Sequence, residues 1–178
     1  MKYLKYFEEN NFCDGCQYFD MDSVMNYPAY KNPLYSLLWK NIIEELDYIN
    51  PKQYIYKVAS NFGGLSYDDA LIPVRDFIVD EYIKNMKNGD KFPIGYYTTN
   101  SSDQEGRHRA VALLKLGCDK MPIIKKTTNV SNDYKLKIVE EIKDMSRKEV
   151  NQYYINKGYR GITDLDWREL QNYLKYQY

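Results

Sequence analysis

The sequence predicts an α+β fold, a small mixed-sheet core with helical N- and C-terminal additions. Three observations carry this. Residues 53–128 alternate in the order strand, helix, strand, helix, strand. Residues 129–178 hold three helical patterns and no strand pattern. Ahead of the core, "NPLYSLLWKNIIEELDYI" repeats apolar residues at helical spacing. The expected organisation is a helical extension over 1–52, a core over 53–128 and C-terminal helices over 129–178.

The first helix opens with Asn32 as N-cap and Pro33 at the first helical position, and carries Leu34, Leu37, Leu38, Ile42, Leu46 and Ile49 inward. "QYIYKVAS" reads as a short strand. "NFGGLSYDDALIPV" reads as a loop punctuated by Gly63 and Gly64. "VRDFIVDEYIKNMKNG" reads as a helix with Phe77, Ile78, Tyr82, Ile83 and Met86 inward and Gly89 as its stop. "KFPIGYYTT" is a strand. "SSDQEGRHRAVALLKLG" is a helix starting near Gln104 and ended by Gly117, and "KMPIIKKTT" is the next strand. Three helices follow. Ser146 and Glu149 have capping-box spacing and Gly158 fits a C-terminal stop. The last two, joined by "GYRGIT", have the outline of a helix-turn-helix, but the second offers few basic residues for reading DNA.

Composition bounds the function. The 178 residues carry 25 basic and 25 acidic side chains, so the net charge is zero and bulk coating of DNA is disfavoured. The basic surplus is local: residues 103–126 hold six basic side chains against Asp103, Glu105 and Asp119. The 20 tyrosines are spread along the chain, as AT-rich codon usage would give, rather than gathered in a basic stripe. No apolar run reaches membrane-spanning length, and "MKYLKYFEENNF" has no signal-peptide core. Three cysteines suit a reducing cytosol, so the expected location is cytoplasmic, with no membrane partner. The oligomeric state is not legible.

"SSDQEGRHRA" carries the chemistry. The positive end of a helix dipole favours acids, yet Arg107, His108 and Arg109 crowd into this turn. First-turn amides lack helical partners, and Gly106 has no side chain to block approach. A phosphate or polyphosphate satisfies amides, dipole and guanidiniums together. Arg107 and Arg109 then clamp phosphate, and Ser101, Ser102 and Gln104 add hydrogen bonds. His108 is a candidate general base or phosphate donor near neutral pH. Glu105 or Asp103 is a candidate for holding Mg2+ beside substrate phosphates. The bland alternatives are that the arginines pair with surface carboxylates such as Asp103 and that Glu105 only completes a cap with Ser102.

The segment "QEGRHRAVALLKLGCDKMPIIKK" resembles the signature helix of the ParB/sulfiredoxin superfamily, through Gly106, Arg107, His108, Arg109, Ala112, Gly117 and "MPII". Upstream, Pro73, Arg75, Gly89, Pro93 and Ile94 match further family positions. The form "EGRHRA" is similar to ParB-like proteins of phages and mobile elements. The resemblance covers roughly residues 53–126. It implies a nucleotide-binding core in which Arg75 reaches the same pocket, with ATP or CTP and Mg2+ as cofactors. Members bind CTP, use ATP in sulfiredoxin repair or phosphorylate free serine, and some are nucleases. Sulfiredoxins place a reactive Cys where Arg107 stands, which excludes that chemistry here. Partition proteins have a further Arg where Val111 stands, which argues against a partition clamp. The serine kinases have an acid comparable to Glu105, which leaves a small kinase or phosphohydrolase, with Glu105 and His108 as catalytic candidates. The alternatives are a nucleic-acid protein, DNA-binding or nuclease, using the turn on backbone phosphate, and a non-catalytic interaction module.

"CDGC" is a single CxxC. No second pair exists to complete a zinc site, so chance spacing explains it best. Trp39 and Trp167 sit on helical stripes and are expected in the core. There is no Walker A loop and no GxGxxG.

Overall fold

The computed structural model describes residues 13–25, 30, 32–61, 64–99 and 101–177. The stretch "MKYLKYFEENNF" and Gly63 lie outside them. The fold is α+β with a mixed sheet. In chain order the described elements are β1 (Cys13–Asp14), a 3-10 turn (Gly15–Tyr18), α1 (Met21–Met25), α2 (Pro33–Lys40), β2 (Ile43–Ile49), α3 (Pro51–Asn61), α4 (Tyr67–Leu71) and α5 (Asp76–Lys87). Then come β3 (Gly95–Thr98), β4 (Gln104–Glu105), α6 (Arg107–Lys115), β5 (Cys118–Thr127), α7 (Asn132–Ile142), α8 (Arg147–Asn156) and α9 (Asp164–Gln177). The sheet runs β1-β5-β3-β4, and β2 also pairs with β5. β1 and β3 are parallel to β5, whereas β4 is antiparallel to β3.

Two compact units emerge, each built from separated stretches. One holds the described residues of Met1–Phe19, Tyr48–Phe92 and Gly106–Pro122; the other holds those of Asp20–Asp47, Pro93–Glu105 and Ile123–Tyr178. In the first, α3 and α5 pack on α6. Tyr54, Ile55 and Val58 of α3, Val79 and Met86 of α5, and Ala110 and Leu113 of α6 are buried. The second is centred on Leu34, Leu37 and Leu38 of α2, Ile138, Val139 and Ile142 of α7, Val150 and Tyr154 of α8, and Leu170 of α9. Such burial of apolar area is the main stabilising term in both.

Several elements differ from the sequence reading. The helix expected to run on to Ile49 stops at Lys40, because Asn41 adopts φ 54°, a left-handed conformation that Asn tolerates, and Ile43–Ile49 continues as a strand. "QYIYKVAS" is helical. Pro51 opens α3, Asn50 Oδ1 accepts from the Lys52 amide at 2.9 Å, and Tyr54, Ile55, Val58 and Ala59 form a buried helical stripe. The loop after it contains α4, opened by a Ser66–Asp69 capping box. In α5 Val79 and Met86 are buried and Ile78, Tyr82 and Ile83 are half-buried, while Phe77 is 66% exposed. Trp39 is also half exposed, edge-on to Tyr173, rather than in the core.

The C-terminal helices form as expected, with the Ser146–Glu149 box in place and Gly158 at φ 86°. Asn32 makes no side-chain cap. Instead Asp166 of α9, fully buried, accepts from the Tyr35 amide at the start of α2 at 3.0 Å. Its other oxygen accepts from the Thr163 amide, also at 3.0 Å. One carboxylate thus serves two helix starts.

Candidate functional site

The site is built on the first turn of α6. The sequence pattern predicts a helix from near Gln104. The structure starts it at Arg107, with Gly106 as N-cap at φ 131° and no side-chain cap bond. That φ favours glycine, so the residue that opens the turn is also the one that leaves it bare. Residues 104 and 105 are drawn off into β4, where Gln104 pairs with Tyr97 and Glu105 with Tyr96. Glu105 therefore lies in a strand, outside the first turn of α6.

Arg107, His108 and Arg109 occupy the three first helical positions, and the turn contains no acid. The Ala110 amide makes the helix's first bond, to Gly106 O at 2.9 Å. Helical geometry gives the amides before it no intrahelical acceptor. The chain from α4 into α5 meets this turn at two points. Arg107 Nη1 donates to the Ala70 carbonyl at 2.9 Å, and the Arg75 amide donates to His108 Nε2 at 3.2 Å. Arg75 is exposed and Arg109 is only 3% exposed. Asp76, beside Arg75, pairs with Lys115 in the last turn of α6 at 3.2 Å.

The electrostatics agree with this geometry. Burial lowers the His108 pKa, and the charges of Arg107, Arg75 and Arg109 lower it further. Accepting a hydrogen bond at Nε2 also requires that nitrogen to be unprotonated. His108 is thus a neutral imidazole set among three guanidiniums at the positive end of a helix.

Of the residues singled out from sequence, the structure brings together Arg75, Gly106, Arg107, His108 and Arg109 in the first unit. Ser101, Ser102, Gln104 and Glu105 belong to the second unit, with Ser101 Oγ accepting from the Asp103 amide. Asp103 is not an arginine partner there. Its carboxylate accepts from Tyr96 Oη at 2.8 Å and Thr98 Oγ1 at 3.4 Å. The donors around the α6 turn are amides, an imidazole and guanidiniums, which fit an anion and not Mg2+. No group of three or more His, Cys, Asp or Glu side chains suited to a metal occurs among the described residues. Sequence reasoning missed the Ala70 carbonyl and the Arg75 amide, because backbone groups carry no residue-type signal.

The cysteines also depart from expectation. Cys13 of the CxxC is bonded to Cys118, 105 residues away, and Cys16 is free.

Comparison of the chain with family models, curated proteins and solved structures gives no match in any of the three.

Proposed function

We propose that the first turn of α6 binds the phosphate groups of a nucleotide, within a core of ParB/sulfiredoxin type. The observation that supports this is a bare, glycine-capped helix start whose first turn places Arg107, neutral His108 and Arg109 together with Arg75. Basic side chains gathered at the positive end of a helix dipole make a locally positive surface that favours an anion. A phosphate accepts from the first-turn amides and from the exposed Arg75 guanidinium.

The imidazole's part follows from its tautomer. With Nε2 accepting from the Arg75 amide, the proton sits on Nδ1, which becomes a further donor. To act as general base, His108 must first give up the Arg75 amide. The reading is therefore of a binding turn. Phosphoryl transfer or phosphate hydrolysis joins it only where the ligand displaces that contact. Mg2+ would arrive with ATP or CTP, held by the phosphates rather than by this turn.

Thermal unfolding with ATP, CTP and inorganic tripolyphosphate, each with and without Mg2+, tests the reading on wild type and Arg75→Gln. Ligand at about a hundred times its Kd stabilises by about 2.7 kcal/mol, a shift of a few degrees for a chain of this size. Arg75→Gln, which removes an exposed guanidinium, is expected to weaken affinity about tenfold, the cost of one charge-assisted hydrogen bond. A shift with duplex DNA alone that collapses as salt rises would move the reading to backbone phosphate. No shift with any of these ligands would overturn it.

A further inference from the structure

We propose that Cys13 and Cys118 form a reversible redox latch that docks the N-terminal strand β1 onto β5. Among the described residues, little else holds that strand. β1 has two residues, Cys13 opposite Cys118 and Asp14 opposite Lys120, with an irregular register between them. A pairing that short is not stable in water by itself. Its ion pair, Asp14 with Lys120 at 4.0 Å, lies between exposed side chains and contributes little. The following turn is fixed farther along. The Phe92 amide donates to Tyr18 O at 2.9 Å, Lys91 donates to Gln17 O, and Phe19 is buried. The disulfide is the strong tie at the β1 end. It holds the chain so close that a Cβ on Gly15 would stand 2.3 Å from Lys120 O.

The three sulfurs have distinct parts. Cys13 is partly exposed, whereas Cys118 is 3% exposed, so exchange begins at Cys13. A thiolate of an external dithiol attacks Cys13 Sγ and the Sγ–Sγ bond breaks. Cys118 leaves as a thiolate and takes up a proton. The dithiol's second sulfur then attacks the mixed disulfide, releasing Cys13 as a thiol and leaving the reductant as a disulfide. Two electrons pass to the protein, and an external disulfide reverses the sequence. Cys16, three residues from Cys13, is the obvious competitor for that sulfur. Burial and the neighbouring Asp14 push its thiol up to about 11, so at neutral pH it stays protonated and does not reshuffle the bond.

Differential alkylation with peptide mapping, joined to hydrogen exchange, tests the latch on the full chain. Alkylated in denaturant, which exposes the Cys16 thiol, the oxidised protein is expected to label at Cys16 alone; after dithiothreitol all three cysteines label. Amides of Gly15–Phe19 are expected to exchange at least about tenfold faster in the reduced state. Cys13→Ser and Cys118→Ser are expected to show the fast exchange without reductant, and Cys16→Ser to keep the slow one. Unchanged exchange in α7 shows that the rest of the chain stays folded. The comparison of reduced with oxidised wild type stands even if a variant misfolds. Three alkylated cysteines under oxidising conditions, a Cys13–Cys16 bond, or equal exchange in the two redox states would each overturn the proposal.

Discussion

His108 shows how the site's electrostatics act at the level of one residue. Burial and the charges of Arg107, Arg75 and Arg109 all disfavour the imidazolium, so its pKa falls below the usual 6.5. The neutral ring's contribution to stability is present above that unfolded-state value and is lost as pH falls through the folded one. A bound phosphate reverses the balance, because an anion beside the ring favours its charged form. Following the ring protons by NMR should therefore give a midpoint below 6.5 in the free protein and a higher one in saturating tripolyphosphate. A free-protein midpoint at or above 6.5, or one that phosphate leaves in place, would contradict this account of the turn.

At the scale of elements, the clearest device is Asp166. Its two oxygens close the start of α9 through Thr163 and of α2 through Tyr35. Asp166→Ala should cost about 2 kcal/mol in chemical unfolding at neutral pH, roughly 1 kcal/mol per lost cap. Asp166→Asn, which keeps one acceptor oxygen, should cost less. A loss under about 0.5 kcal/mol for the alanine variant would contradict the shared cap, since single caps already exceed it. Elements also show what a sequence conceals. α5, β3, β5 and the three C-terminal helices were legible because their periodicity and stops agree: Gly89, Gly117 and Gly158 all have positive φ. β2 was hidden because Ile42, Leu46 and Ile49 suit a helix as well as a strand, and only the left-handed Asn41 decides. α3 was hidden because "QYIYKVAS" is rich in β-favouring residues whose buried stripe appears only once Pro51 sets the phase. The site was half legible. The side chains of Arg107, His108 and Arg109 stand out in the sequence, but the withdrawal of Gln104 and Glu105 into β4 depends on pairing with Tyr97 and Tyr96.

For the whole molecule, charge decides which ligands are reasonable. Zero net charge gives no long-range field to gather nucleic acid, so the cationic turn must act locally. Among the described residues no helix is long and apolar enough to cross a membrane. Arg75, Arg107, His108 and Arg109 all fall within one compact unit, so binding at the turn draws on a single packed body. The same unit carries the Cys13–Cys118 bond on the strand that follows the site helix, although neither proposal depends on the other. The most direct measurement is the amide NMR spectrum of isotopically labelled protein titrated with tripolyphosphate. The account predicts saturable shifts largest at Arg107, His108 and Arg109, with the Arg75 amide moving as its bond to His108 changes. Shifts scattered over lysines elsewhere, or none at the α6 turn at any concentration, would contradict it.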